Sequence, residues 1–310
     1  MKIHTTFDSF IHVRNPVVTI GTFDGVHLGH AHILSKLIEL AKKINGETVL
    51  LTFYPHPRMI LHPEDHGLQL LSSQDEKATL LEMAGIDHLV VLPFTKEFSR
   101  IPAFEYVRDL LVSGLRTHTL VIGYDHRFGK NREGNHATLL ELSETFGYLV
   151  HEIPARQIDE AAISSTKIRG ALQLGDIKLA NKLLGYPYQI AGKVVPGDGR
   201  GRTIGYPTAN VLPHFEFKLV PFQGVYAAWI TCEGRDWPAL VNIGTRPTFS
   251  LEKTITIEAH LLAFQGDLYN KTIGIRFIDR LRNEQKFGSI VELVEQIKSD
   301  IQIAQRHFNE

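Results

Sequence analysis

The chain has 310 residues, more than a single hydrophobic core usually organises, so two domains are expected. Lys and Arg number 33 against 34 Asp and Glu, a balance that excludes the broad basic footprint of a general nucleic-acid binder and leaves anionic ligands to be held locally. Cys232 is the single cysteine, which excludes an intrachain disulfide framework and a cysteine-rich zinc module.

Residues 1–10 mix charged and apolar side chains without a secretory core, and no apolar run approaches membrane-spanning length. A cytoplasmic protein with no membrane or nucleic-acid partner is therefore expected. Short apolar runs at residues 17–20, 48–53, 89–92, 119–122 and 148–153 predict strands. Between them, residues 31–44, 74–84, 103–112 and 137–146 carry apolar side chains three and four apart, the helical period. This alternation predicts an α/β domain whose mostly parallel sheet binds ligands beyond the carboxyl ends of its strands. Residues 164–174 and 177–184 read as two further helices, ended by the break Gly185-Tyr186-Pro187. The domain boundary is expected there, giving domains 1–186 and 187–310. Six strand patterns follow, at 189–195, 208–212, 224–231, 239–243, 254–262 and 272–278, and suggest a small antiparallel β-barrel. An amphipathic helix at 289–306 should close it.

Val17-Val18-Thr19-Ile20 leads into Gly21-Thr22-Phe23-Asp24-Gly25-Val26-His27-Leu28-Gly29-His30, a buried-type strand, a glycine-flanked turn and two histidines three apart at a helix start. Residues at that spacing share a helix face, and backbone N–H groups with two imidazoles could hold a triphosphate. Gly29 would let a nucleotide approach the backbone closely. His27 and His30 could equally be ordinary helix-start residues. In Ser164-Ser165-Thr166-Lys167-Ile168-Arg169, helix capping alone explains a leading serine, whereas three hydroxyls and two cations also form a phosphate clamp.

GTFDGVHLGH and SSTKIR together resemble the nucleotidylyltransferase superfamily, specifically the adenylyltransferase domain of prokaryotic bifunctional riboflavin kinase/FAD synthetases. The resemblance implies a Rossmann-like domain in which His27 and His30 hold the ATP phosphates while the FMN phosphate attacks the α-phosphorus. It places Arg169 in catalysis, and Gly21, Phe23, Asp24, Gly29, Ser164, Ser165 and Thr166 at the nucleotide. The segment Gly123-Tyr124-Asp125-His126-Arg127-Phe128-Gly129 is similar to a third family motif, with Asp125 near nucleotide and flavin. His126 stands where the family usually has Phe, and Thr22 where Asn is commoner. His56, His62 and His66 invite a zinc reading, but Pro55, Pro57 and Pro63 break any helix that would align His62 with His66, so loop histidines are expected.

The segment from Gly192 to Asn210 joins two strands through a loop rich in glycine and arginine. It is no Walker-type loop, because no Lys-Ser or Lys-Thr follows the glycines. Thr208 and Asn210 project to one side of a strand and offer a hydroxyl and an amide oxygen to Mg²⁺. Pro207-Thr208-Ala209-Asn210 resembles the signature of riboflavin kinases. The likeness continues through Gly224-Val225-Tyr226-Ala227, the segment from Asn242 to Phe249, Glu258, Gly266-Asp267-Leu268-Tyr269 and Leu281-Arg282-Asn283-Glu284. It implies Mg²⁺ on Thr208 and Asn210, ATP near Gly199 and Arg202, flavin near Tyr226 and Arg282, and Glu258 as the base for the riboflavin 5′-hydroxyl. Asn283 stands where Asp is usual. Strand alternation by itself reads Glu258 as solvent-facing. The expected ligands are riboflavin, ATP and FMN, with FMN and FAD as products and no obligatory protein partner. A kinase-only enzyme and a non-catalytic flavin binder are the rival readings.

Overall fold

The computed structural model describes the chain except residues 11, 65–66, 155–162, 198, 247–253 and 309–310. His66, Asp198, Pro247, Thr248 and Phe249 therefore lie outside the described residues. The chain divides into two compact units, Met1–Ser164 and Ser165–Glu310.

The first unit contains β1 (Lys2–His4), β2 (Val17–Ile20), α1 (Leu28–Lys43), β3 (Thr48–Tyr54), α2 (Pro57–Leu61), α3 (Gln74–Met83) and β4 (His88–Pro93). It continues with α4 (Ala103–Glu105), which runs into a π-helical segment (Tyr106–Gly114), then β5 (Thr119–Gly123), α5 (His136–Phe146) and β6 (Leu149–Ile153). The strands form one sheet in the order β1-β4-β3-β2-β5-β6, and every pairing is parallel. Both faces are covered, which is why β2 and β3 are almost continuously apolar. Successive residues feed opposite cores: Val18, Val49 and Leu51 join Tyr106, Leu111 and Phe128 on one side, while Val17 and Leu50 join Leu34, Leu37 and Leu81 on the other. From β2 the chain builds outward through β3 and β4, then returns to lay β5 on the opposite side of β2. That reversal makes the carboxyl end of β2, at Ile20 and Gly21, the topological switch point where such sheets bind ligands.

The second unit begins with α6 (Ser165–Leu174) and α7 (Ile177–Leu184). β7 (Gln189–Val195), the short α8 (Arg200–Thr203), β8 (Ala209–Pro213), β9 (Gly224–Cys232), β10 (Arg235–Arg246), β11 (Thr254–Leu261), β12 (Thr272–Arg282) and α9 (Ile290–Phe308) follow. The six strands close into an antiparallel barrel in the order β10-β11-β8-β7-β12-β9. Ile190, Tyr226, Val241, Ile257, Ala259, Ile275 and Phe277 are buried. α9 lies over a small core of Val225, Ala227, Leu240 and Ala304. α7 is tied to the barrel by the Asn181 amide, which donates to the Phe277 carbonyl at 2.9 Å and accepts from the Tyr188 N–H at 2.7 Å. The compact units therefore divide between Ser164 and Ser165, ahead of the change in sequence texture at Gly185.

The expected α/β-plus-barrel architecture is borne out, with three additions. β1 pairs with β4 at the sheet edge. Pro57 starts α2, where a first-turn proline has no N–H to lose, and the helix ends at Leu61, ahead of His62. Four residues of the glycine-arginine loop form α8.

Candidate active sites

At the switch point, Gly21 passes into a turn with positive φ at Phe23 (46°), Gly25 (78°) and Val26 (35°). His27 then caps α1, its Nδ1 accepting from the His30 N–H at 3.3 Å. With Nδ1 an acceptor, the proton of a neutral His27 sits on Nε2. The His27 and His30 rings stack at 3.7 Å and 12°, and Phe23 lies 4.6 Å from His30 on its other side. His30 Nδ1 is buried without a partner. Burial, reinforced by the nearby His27 and Lys77, pushes the His30 pKa well below its usual value. Gly29 is buried in the first turn of α1.

Asp24 is buried and already engaged: its carboxylate accepts from the backbone of Leu71 at 3.0 Å and Ser72 at 3.1 Å, and from the Ser72 hydroxyl at 3.3 Å. It anchors the segment leading into α3. Lys77, buried on α3, is lowered to about 8 by desolvation, which the Asp24 charge opposes. Asp125 is exposed in the turn after β5. Next to it, burial lowers His126 to about 4, and its ring stacks on Phe128 at 5.9 Å. Ser164 ends the first unit, while Ser165, Thr166 and Arg169 lie in the opening turns of α6 in the second.

A cavity of about 990 Å³ opens beside Gly21 and Thr22 in the first unit. Phe53, Phe94, Phe98, Tyr106 and Phe128 give it an aromatic wall, and Arg58, Arg100, Arg127, Lys130 and Arg132 give it positive charge. His56, His62 and His126 also line it. Among the described residues no group of three or more His, Cys, Asp or Glu side chains is arranged to hold a metal. The sequence signal for this cavity was diffuse, because its residues come from five separated segments and meet only in the fold.

In the second unit, pairing aligns a row of side chains around the barrel. Asn210 on β8 pairs with Glu258 on β11, Glu258 with Asn242 on β10, Asn242 with Val225 on β9, and Val225 with Arg282 on β12. Cross-strand partners share a face, here the outer one. Alternation thus placed Glu258 correctly outside the barrel, yet α9 and the chain before it cover that face. They enclose a cavity of about 490 Å³ lined by Thr208, Asn242, Glu258, Arg282 and the inner side of α9. A smaller cavity of about 100 Å³, lined by Arg202, Phe264 and Tyr269, adjoins it, and Thr208 lines both. The Thr208 hydroxyl lies 3.4 Å from a Glu258 carboxylate oxygen. Gly197 packs so closely on the Asn210 amide that no Cβ would fit. Gly199, in the left-handed region at φ 68°, opens α8, and Arg202 donates its backbone N–H back to it at 3.1 Å.

Arg282 is held by Asp300 of α9, its Nε within 3.0 Å of both carboxylate oxygens and an Nη at 2.8 Å. Asp300 is only 2% exposed and also accepts from the Gln296 amide at 2.9 Å. The sequence reading missed Asn242 and Asp300. The signal for Asp300 was a carboxylate three residues after Ile297 on the apolar stripe of α9. Tyr226 requires a correction: it points into the barrel, is fully buried, donates to the Phe222 carbonyl and does not line the cavity. Burial raises its phenol to about 12. Asn283 accepts from Arg280 at 2.7 Å through its amide oxygen, so an uncharged acceptor suffices there.

A helix start at a parallel-sheet switch point and a row of oxygen donors beside two barrel cavities are the two candidate ligand sites. The family model described as FAD synthetase matches residues 11–167, and the one described as riboflavin kinase matches residues 184–308. The bifunctional riboflavin kinase/FMN adenylyltransferase of Escherichia coli K12 is 38% identical over 94% of this chain and 92% of its own. That of Pseudomonas fluorescens is 36% identical, also over 94% and 92%. The chain belongs to the bifunctional riboflavin kinase/FMN adenylyltransferase family. A solved structure from Streptococcus pneumoniae, described as a macrolide-efflux protein, matches with a TM-score of 0.88 at 30% identity over 98% of both chains. Among the described residues of this chain no helix is long and apolar enough to cross a membrane.

Proposed function

We propose that the chain performs both reactions of its family, phosphorylating riboflavin to FMN and then adenylylating FMN to FAD, with residues 187–310 serving the first and residues 1–186 the second. The family models, one ending at 167 and the other starting at 184, support that chemical division.

For phosphoryl transfer, the observation that carries the reading is Thr208, shared by both cavities with Glu258 beside it. A cavity of about 490 Å³ suits a flavin ring, and Arg202 and Gly199 at the adjoining loop would meet the nucleotide phosphates. Glu258 accepts the proton of the 5′-hydroxyl as its oxygen bonds to the γ-phosphorus and the bond to ADP breaks. Arg282, fixed by Asp300, orients the flavin. The hydroxyl, amide and carboxylate oxygens of Thr208, Asn210 and Glu258 fit a hard cation, and Thr208 and Asn210 would hold the Mg²⁺. When bound, the ion offsets charge on the phosphates.

For adenylyl transfer, His27 and His30 with the N–H groups at the start of α1 hold the ATP phosphates, supported by Gly21, Phe23 and Gly29. Asp24 fixes the turn from behind, and Asp125 lies near the nucleotide. FMN occupies the aromatic, cationic cavity. A phosphate oxygen of FMN bonds to the α-phosphorus as the bond to pyrophosphate breaks, without a covalent enzyme intermediate. A neutral His30 imidazole suits this role as a hydrogen-bond donor to developing charge.

Incubating the purified protein with riboflavin, ATP and Mg²⁺ and separating the flavins tests the whole reading. FAD is the expected product. FMN alone would remove the second activity, and unchanged riboflavin would overturn both.

A further inference from the structure

The two large cavities are lined with opposite charge. Among the described residues, all five charged side chains around the cavity of the first unit, histidines aside, are cations: Arg58, Arg100, Arg127, Lys130 and Arg132. Among the described residues lining the cavity of the second unit, three are carboxylates, Glu258, Glu284 and Asp300, and one, Arg282, is a guanidinium. That guanidinium is already neutralised by the bidentate contact from buried Asp300. Glu284 lies against Gly244, two residues along β10 from Asn242, and has no ion-pair partner among the described residues. The flavin that enters phosphoryl transfer is uncharged. The flavin that leaves it carries a phosphate of about −1.5 to −2 at neutral pH.

We propose that the two cavities sort the flavin by its phosphate, with Glu284 and the Asp300–Arg282 pair acting as specificity determinants that disfavour retention of FMN in the barrel cavity. This rests on the assignment of riboflavin to the barrel and FMN to the first unit. A cleft with walls of low polarity focuses the field of its charges, so a net carboxylate excess repels a phosphorylated ligand while leaving a neutral one unaffected. Asp300 does two jobs at once. It fixes the Arg282 donor for the flavin ring, and it neutralises the guanidinium that lines this cavity.

The test uses the full chain and reads ADP release, which reports phosphoryl transfer alone because adenylyl transfer releases pyrophosphate. Initial rates are measured against riboflavin at several fixed concentrations of FMN. Glu284→Gln is expected to strengthen inhibition by FMN about three- to tenfold, the scale of one lost charge at contact range in water, with little change in the KM for riboflavin. Asp300→Asn should strengthen it as well and also raise the KM for riboflavin, because Arg282 loses its anchor. Added salt should strengthen FMN inhibition of ADP release in the unaltered chain while raising the KM for FMN in pyrophosphate release, since screening weakens repulsion at one site and attraction at the other. Lumiflavin, a flavin without phosphate, should inhibit the unaltered chain and Glu284→Gln equally. Unchanged FMN inhibition in Glu284→Gln, or salt effects in the same direction at both sites, would overturn the sorting. Absence of riboflavin-dependent ADP release in the unaltered chain would instead remove the site assignment beneath it.

Discussion

Single side chains separate the two centres. Glu258 is the sharpest case, because strand alternation reads it as solvent-facing while its cross-strand partners Asn210 and Asn242 set it in a covered row. Glu258→Gln keeps the size and hydrogen bonding but removes the proton acceptor, so kinase turnover should fall by about 10²- to 10⁴-fold with KM values little changed. Near-normal turnover would leave positioning as the whole mechanism. His30→Ala should abolish FAD formation from supplied FMN and leave riboflavin phosphorylation intact, and equal loss of both in a folded variant would remove His30 from the phosphate site. His126 adds a pH effect. The folded chain holds it at about 4 against an ordinary 6.5, so between those values the unfolded chain binds more protons and the first unit loses stability as pH falls. His126→Phe should therefore shrink the drop in melting temperature between about pH 7 and about pH 5. The same drop in both proteins would show that His126 carries no linkage.

At the scale of elements, what the sequence disclosed follows the range of the interactions involved. β2, β3, α1 and α7 were legible because their signals, apolar runs and helical periodicity, lie within the element. β1 was not: Lys2-Ile3-His4 has no alternation to detect, and it is a strand because it pairs with residues 88–90. The inner role of α9 was legible as an apolar stripe, but not that Asp300 on that stripe would reach Arg282, which depends on the register of β12. Tyr226 erred in the opposite way, since its motif implied a flavin contact while its pleat turns it inward, opposite to Val225. α7 supplies a test of such long-range ties. Asn181→Ala leaves the Tyr188 N–H and the Phe277 carbonyl without their partner, and should destabilise the second unit by about 1–3 kcal/mol in denaturant unfolding. An unchanged midpoint would mean that water replaces both bonds.

For the whole molecule, the chemical division and the compact units part company between residues 165 and 186. α6 opens with Ser165, Thr166 and Arg169, which the adenylyltransferase motif claims, yet α6 and α7 belong to the same compact unit as the barrel. Buried Ile177, Ala180 and Leu184 give α7 an apolar face against its own unit, and Lys178 pairs with Asp279 of β12 at 2.9 Å. A fragment of residues 187–310 retains the complete row from Asn210 to Arg282 and both barrel cavities, so its kinase chemistry is whole on paper. It would nevertheless expose the surface that α7 covers and lose the Asn181 bridge at the start of β7. A fragment of residues 165–310 should therefore be soluble, unfold cooperatively and phosphorylate riboflavin at a rate close to that of the full chain. The 187–310 fragment should melt lower, or aggregate, while any folded fraction keeps a similar KM for riboflavin. Parallel expression, thermal unfolding and FMN assays of the two fragments decide the matter. If the shorter fragment is as stable as the longer, α6 and α7 contribute nothing to the barrel. If neither fragment makes FMN, the kinase centre requires the first unit.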